Sequence, residues 1–190
     1  LMLLAVIVSP LTVVAAILTA AALHELGHLA AMRYYGVSVK HFRLTALGAE
    51  LDAPALARLS YGRELIITLA GVTVNLFCAI LLALLGLRTW REWCFVFAGA
   101  HLVLAAFNLL PVVPLDGARA LCLALSFFLG PATGERITAA VSLACSLALC
   151  ALGLKLSLGL HSGWLFAFAA FGLLWGTLRQ LGLARGAKSV

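Results

Sequence analysis

The chain has 190 residues, of which 64% are hydrophobic and only 11% are charged. Soluble domains average about 45–50% apolar and about 25% charged residues, so this composition excludes an ordinary soluble domain and indicates a membrane protein. The net charge of +6 comes from 13 lysines and arginines that form no basic block, so nucleic acid is not an expected partner. The five cysteines form no C-x-x-C pair, which argues against a disulfide framework or a cysteine metal site.

Long apolar segments divide the chain into predicted helices. Because a helix needs about 20 mainly apolar residues to cross a bilayer, spans are predicted at about residues 1–33, 64–87, 93–113, 134–153 and 163–182. The first segment is predicted to be broken or bent near Pro10. The run at 117–130 is too short to cross and is expected within the fold or at the membrane interface. Since the chain begins with Leu1 rather than methionine, the native N terminus is expected to be incomplete.

One extended polar region, "GVSVKHFRLTALGAELDAP", lies between the first two spans. Apolar and polar side chains alternate on both sides of Gly48, which predicts a strand or a hairpin. The sequence therefore predicts an all-α polytopic membrane protein with about five to six transmembrane segments and a short extended or hairpin segment after the first long helix. It shows no repeat or linker, so residues 1–190 are expected to form a single domain.

Three polar residues, His24, Glu25 and His28, interrupt the first apolar segment in the stretch "ALHELGHLAA". One ionised side chain at the centre of a membrane helix costs about 2.5–3.5 kcal/mol, so these residues need a compensating partner. Positions i and i+4 share one helix face, and both imidazoles can therefore reach a single zinc ion. Glu25 is then placed to take a proton from an attacking water. Alternatively, the histidines only form hydrogen bonds within a polar helix interface.

A catalytic zinc site takes a third protein ligand and leaves its fourth position to water. Among the other acidic residues, Asp116 stands out in "FNLLPVVPLDGARA", where Pro111 and Pro114 interrupt an apolar segment. Broken backbone at membrane depth is tolerated where it is buried in protein or lines a wet cavity. The predicted topology brings Asp116 to the same side as the two histidines. The alternative is that Asp116 caps the helix that begins near residue 117.

Lysines and arginines set the expected orientation, since they concentrate on the cytoplasmic side of membrane proteins. If the loop at 34–63 is cytoplasmic, Arg88, Arg91 and Lys155 lie on the opposite side. The basic residues on the side of this loop are then Arg33, Lys40, Arg43, Arg58, Arg63, Arg119, Arg136, Arg179, Arg185 and Lys188. We therefore expect an integral multi-pass protein with its candidate site toward the cytoplasm.

Three motifs in this order, "HELGH" at 24–28, "AGVTVN" at 70–75 and "NLLPVVPLDG" at 108–117, resemble the site-2 protease family of intramembrane zinc metalloproteases. The compact layout without a PDZ insertion resembles the sporulation-type subgroup. The resemblance implies one Zn²⁺ per chain, bound by His24, His28 and Asp116, with Glu25 as the catalytic base. It also implies regulated intramembrane proteolysis of a membrane-anchored substrate, in a bacterial cytoplasmic membrane. One departure is Val72, which follows Gly71 where the family often has proline.

Two amides, Asn75 and Asn108, lie in apolar segments near these motifs. Each is a candidate for binding the substrate backbone or the developing oxyanion, because aimed donors stabilise charge in the transition state. Alternatively, each amide bonds a neighbouring helix, and this second role is the expected one for His101. The extended segment 37–51 is either ordinary edge structure or a strand that pairs with an unwound substrate.

Other functions remain open from the residues alone. A metalloprotease of the downstream-glutamate type would use Glu64, Glu92 or Glu135 as third ligand, and no motif supports any of them. A serine intramembrane protease needs a nucleophile motif that "HSGW" at 161–164 does not provide. A divalent-metal transporter or a metal-binding membrane protein without protease activity is the alternative from a different class, although a transporter would distribute its metal-binding groups along a path across the bilayer. The sequence identifies no regulatory membrane partner.

Overall fold

The computed structural model describes residues 11–37, 41–45, 48–52, 59–160 and 164–186. Within these ranges the chain forms six helices and one two-stranded hairpin. In chain order these are α1 (Leu11–Tyr34), β1 (His41–Thr45), β2 (Gly48–Asp52), α2 (Tyr61–Thr89), α3 (Glu92–Asn108), α4 (Asp116–Leu129), α5 (Pro131–Leu160) and α6 (Trp164–Gly186). The helices fall on the predicted apolar segments, which confirms the helical membrane fold class. Residues 1–10, with the break or bend predicted near Pro10, and His161 of "HSGW" lie outside the described residues.

Three of the described helices are long and apolar enough to cross a membrane: α1, α2 and the stretch Pro131–Leu158 of α5. The helix α3 is apolar but shorter. The outer face of α2 carries large exposed apolar side chains, with Phe77 65%, Ile80 62% and Leu84 60% exposed. Water would penalise such a continuous apolar face, whereas lipid does not. The chain is therefore an integral membrane protein.

The predicted hairpin follows α1. Its strands β1 and β2 pair antiparallel, with His41 opposite Asp52 and Thr45 opposite Gly48. The residues at 46–47, which connect the strands, and those at 38–40 lie outside the described ranges. The alternation of apolar and polar residues around Gly48 predicted a strand or a hairpin in this region, and the structure shows the hairpin.

The helices group into two compact units, Leu1–Leu109 and Leu110–Val190. In the first unit, α1, α2 and α3 pack against one another. A small core of Met32, Val37 and Ile67 holds the end of α1 against the beginning of α2. In the second unit, α5 packs against both α4 and α6. The single domain over residues 1–190 stays a prediction.

A tight connection joins α2 to α3 in the first unit. The chain turns at Trp90, which has a left-handed backbone conformation (φ 54°) and whose N–H donates to the carbonyl of Gly86 at 2.8 Å. A Cβ on Gly86 would lie 3.0 Å from the ring of Phe95, so the glycine permits the two helices to approach closely. This short turn places α3 directly beside α2.

In the second unit, the broken segment before α4 is held by side chains of α5 and α6. Ser142 donates a hydrogen bond to the carbonyl of Pro111 at 2.9 Å, and Thr177 donates one to the carbonyl of Val113 at 3.1 Å. Backbone that leaves the helical pattern in an apolar protein needs such partners, since lipid offers none. These two bonds therefore explain how the "LPVVPLD" segment is accommodated ahead of Asp116.

Candidate metal centre

Two histidines lie one turn apart on the buried face of α1, with His24 5% and His28 7% exposed. Their rings meet edge to face at a centroid distance of 4.7 Å, and their Nε2 atoms are 3.1 Å apart. Two nitrogens that bind a tetrahedral zinc ion at about 2.0–2.1 Å are about 3.3–3.4 Å from each other. The pair is thus already close to the spacing that a shared zinc ion requires.

The orientation of His28 is fixed by a backbone group of α2. Its Nδ1 lies 2.8 Å from the carbonyl oxygen of Ile67. Because a carbonyl oxygen can only accept, Nδ1 carries the proton, and the Nε2 of neutral His28 keeps its lone pair. In metal-binding histidines, the N–H of the ring nitrogen that does not bind the metal commonly donates such a hydrogen bond. His28 therefore presents Nε2 as a ligand atom.

The second ring nitrogen of His24 contacts a side chain of α2 that itself contacts α3. The Nδ1 of His24 lies 3.3 Å from Nδ2 of Asn75, and the Oδ1 of Asn75 lies 3.0 Å from Nδ1 of His101. Asn75 is 0% and His101 is 1% exposed. The expectation that His101 bonds a neighbouring helix is confirmed. The sequence analysis did not predict that His101 is linked to His24 through Asn75. The one feature that could have indicated this link is the isolated histidine in the apolar segment of α3.

A space beside the two imidazoles is provided by Gly71 on α2. A Cβ at this position would lie 2.5 Å from Nε2 of His28 and 2.8 Å from Nδ1 of His24. Gly27 on α1 makes a similar approach, since its Cβ would lie 2.9 Å from the carbonyl oxygen of Ala70. These glycines allow α1 and α2 to approach so closely that α2 contacts the histidine pair directly.

Replacing Gly71 with alanine is expected to weaken zinc binding by at least about 10-fold, because its methyl group would displace the imidazoles from their ligand geometry. Zinc affinity measured by competition with a chelator, with helix content from circular dichroism, tests this expectation. Gly62→Ala on the same helix is the matched control, since nothing lies within 4 Å of an added Cβ there. Equal zinc affinity in both variants would contradict the role given to Gly71.

The other residues predicted for the site are Glu25, Asp116 and Asn108. Glu25 is half-buried on α1, next to His24. Asp116 is half-buried in the second unit, where it is the first residue of α4 and Leu115 occupies the N-cap position. Asn108 is the last residue of α3, and its amide donates to the carbonyl of Leu104 at 3.1 Å. Within the first unit, the structure thus brings together the two histidines and Asn75.

Comparison with known proteins agrees with this fold. No protein-family model matches the chain, and no curated protein matches it significantly. Among solved structures, the chain is similar to the Site-2 Protease from Methanocaldococcus jannaschii, with a TM-score of 0.70 and 22% sequence identity over 93% of this chain and 82% of that chain. At this identity, the likeness establishes a shared fold.

Proposed function

We propose that this protein is an intramembrane zinc metalloprotease of the site-2 protease family. It would hydrolyse a peptide bond within or next to a transmembrane segment of a membrane-anchored substrate, as in regulated intramembrane proteolysis. The buried His24–His28 pair carries the proposal, because its Nε2 atoms are 3.1 Å apart in a membrane fold shared with a Site-2 Protease. The sporulation-type subgroup is proposed from the sequence resemblance alone.

The proposed ligand set for one zinc ion per chain is His24, His28 and Asp116, the set that the resemblance of the three sequence motifs implies. Two neutral imidazoles and a carboxylate are suitable ligands for a catalytic zinc and leave one position for water. The residues fit this ion in two respects: the spacing of the Nε2 atoms, and the proton that the carbonyl of Ile67 holds on Nδ1 of His28. The absence of a side chain at Gly71 leaves room for both imidazoles, since a Cβ there would lie 2.5 Å from Nε2 of His28.

Glu25 is the proposed catalytic base. A bound zinc ion supplies Lewis-acid activation of the attacking water and of the scissile carbonyl. The carboxylate of Glu25, adjacent to His24 on α1, accepts the proton of this water and delivers it to the leaving amine. Asn108 is the proposed donor to the developing oxyanion. For Asn75, which was also considered for this role, the contacts with His24 and His101 favour a different one.

Substrate recognition is proposed to use the hairpin after α1. The carbonyls of a helical substrate are engaged in internal hydrogen bonds, so the helix must unwind before its peptide bond can be attacked. An unwound segment can add to the edge of β1 or β2 as a further strand, which would hold it extended. The excess of lysine and arginine on one side of the predicted topology supports a site that faces the cytoplasm. A bacterial cytoplasmic membrane is proposed from the sequence resemblance alone.

Metal removal tests the proposed function. The purified protein in liposomes, given a panel of designed transmembrane substrates, is expected to cleave at least one of them. A chelator should abolish cleavage, and added zinc should restore it, because the attacking water needs the metal. Cleavage that survives complete zinc removal would contradict the proposal. Zinc transport across the same liposomes without any cleavage would favour the transporter.

A further inference from the structure

A chain of buried polar groups crosses the three helices of the first unit. It runs from His28 and His24 on α1, through Asn75 on α2, to His101 on α3, with successive distances of 3.1, 3.3 and 3.0 Å. All four residues are at most 7% exposed. Buried polar groups without hydrogen bonds are costly, so the protons in this chain must be arranged to satisfy each contact.

The proton on His28 determines which groups donate and which accept along these contacts. Its Nδ1 donates to the carbonyl of Ile67, so its Nε2 accepts and the facing Nε2 of His24 must donate. The Nδ1 of His24 is then an acceptor for the Nδ2 of Asn75. The Oδ1 of Asn75 in turn accepts from Nδ1 of His101, so each of these three contacts pairs one donor with one acceptor.

If His24 binds a metal through Nε2, the donors and acceptors along the contacts from His24 to His101 must be exchanged. If Nε2 is to bind a metal, its lone pair must be free, and the proton of the neutral ring moves to Nδ1. That N–H needs an acceptor, and the only acceptor atom of the Asn75 amide is its oxygen. The amide must therefore turn over, which directs its NH₂ group at Nδ1 of His101. His101 must then accept at Nδ1 and carry its proton on Nε2.

We propose that His101 is a positioning residue for His24 and acts through Asn75. The tautomer of His101 selects the orientation of the Asn75 amide, and this orientation selects which nitrogen of His24 carries the proton. Asn75 thus orients a metal ligand instead of contacting the substrate. The inference rests on the proposed function, since it takes His24 as a zinc ligand, and it adds a residue outside the three sequence motifs.

Zinc affinity of three variants tests this role. His101→Leu removes the partner of Asn75 and is expected to weaken zinc binding about 10–100-fold, as loss of an outer partner of a metal ligand does. His101→Asn keeps an amide near the position of Nδ1 that can donate or accept, so it should restore most of the affinity. Ser146→Ala is the control, because this buried serine of the second unit donates only to carbonyls of its own helix.

Histidine tautomers provide a readout that a merely structural residue would not change. In ¹⁵N NMR spectra of ¹⁵N-histidine-labelled protein in detergent micelles, His101 is expected to carry its proton on Nδ1 without zinc and on Nε2 with zinc. The His101→Asn spectrum identifies its signals. In Asn75→Leu, which lacks the amide, zinc should no longer change the tautomer of His101.

The outcomes separate this inference from the proposed function. If the wild type binds zinc, an unchanged tautomer of His101 or a wild-type affinity in His101→Leu overturns only the role of His101. If the wild type binds no zinc, the proposed metal centre fails, and the role of His101 fails with it. Zinc binding that weakens in His101→Leu and recovers in His101→Asn supports both.

Discussion

Glu25→Gln is expected to retain one zinc per chain and to lower the rate of substrate cleavage by at least about 100-fold. General acid–base catalysis contributes about 10²–10⁴-fold to a reaction, and the glutamine amide cannot accept the proton of the attacking water. Its size and shape are nearly those of glutamate, so the packing of α1 and its histidines should be preserved. Single-turnover cleavage of a transmembrane substrate, with elemental analysis of the same sample, measures both quantities.

The matched control is Glu135→Gln, the same substitution at an exposed glutamate near the beginning of α5. It should retain wild-type zinc and wild-type cleavage. A normal rate in Glu25→Gln would remove Glu25 from the role of base. Loss of zinc in Glu135→Gln would instead favour the metalloprotease type that takes a downstream glutamate as its third ligand.

Asp116→Ala is expected to lower zinc affinity by more than about 100-fold and to abolish cleavage. Loss of an outer partner already costs about 10–100-fold in metal affinity, and loss of a direct ligand should cost more. Without Asp116, only the two imidazoles would bind the ion, whereas catalytic zinc sites have three protein ligands. The zinc content after dialysis, and the dissociation constant from chelator competition, test this expectation.

Glu92→Ala serves as the control for this variant, since it removes an exposed carboxylate from the first turn of α3. It should bind zinc as the wild type does. A wild-type dissociation constant in Asp116→Ala would assign the third ligand position to another acid and would contradict the role carried over from the "LDG" motif.

Much of the fold could be predicted because membrane helices are determined by local composition. The apolar segments predicted at 64–87 and 134–153 correspond to α2 and α5, and the alternation around Gly48 predicted a strand or a hairpin where β1 and β2 lie. The end of α3 was less well placed, since the predicted span reached residue 113 but the helix ends at Asn108. Proline lacks an N–H and clashes with the preceding turn, so Pro111 ends the helix before the proline itself.

The part of the site that lies on a single helix, the histidine pair of α1, could be predicted from the sequence. The spacing of His24 and His28 alone placed both imidazoles on one face of α1. The bonds from His28 to the carbonyl of Ile67 and from His101 to the amide oxygen of Asn75 depend on how α1, α2 and α3 pack, and no local pattern encodes them. A sequence shows that Asn75 is polar in an apolar segment, but its partners on α1 and α3 appear only in the fold.

Mass spectrometric mapping of the cleavage site tests the central claim most directly. The wild-type protein in liposomes would be incubated with a tagged transmembrane substrate, and the new termini of the products would be identified. The proposed function predicts a single zinc-dependent cut within or next to the membrane-spanning segment, absent with Glu25→Gln. Cuts confined to parts of the substrate remote from the membrane, or the same cut with Glu25→Gln, would contradict it.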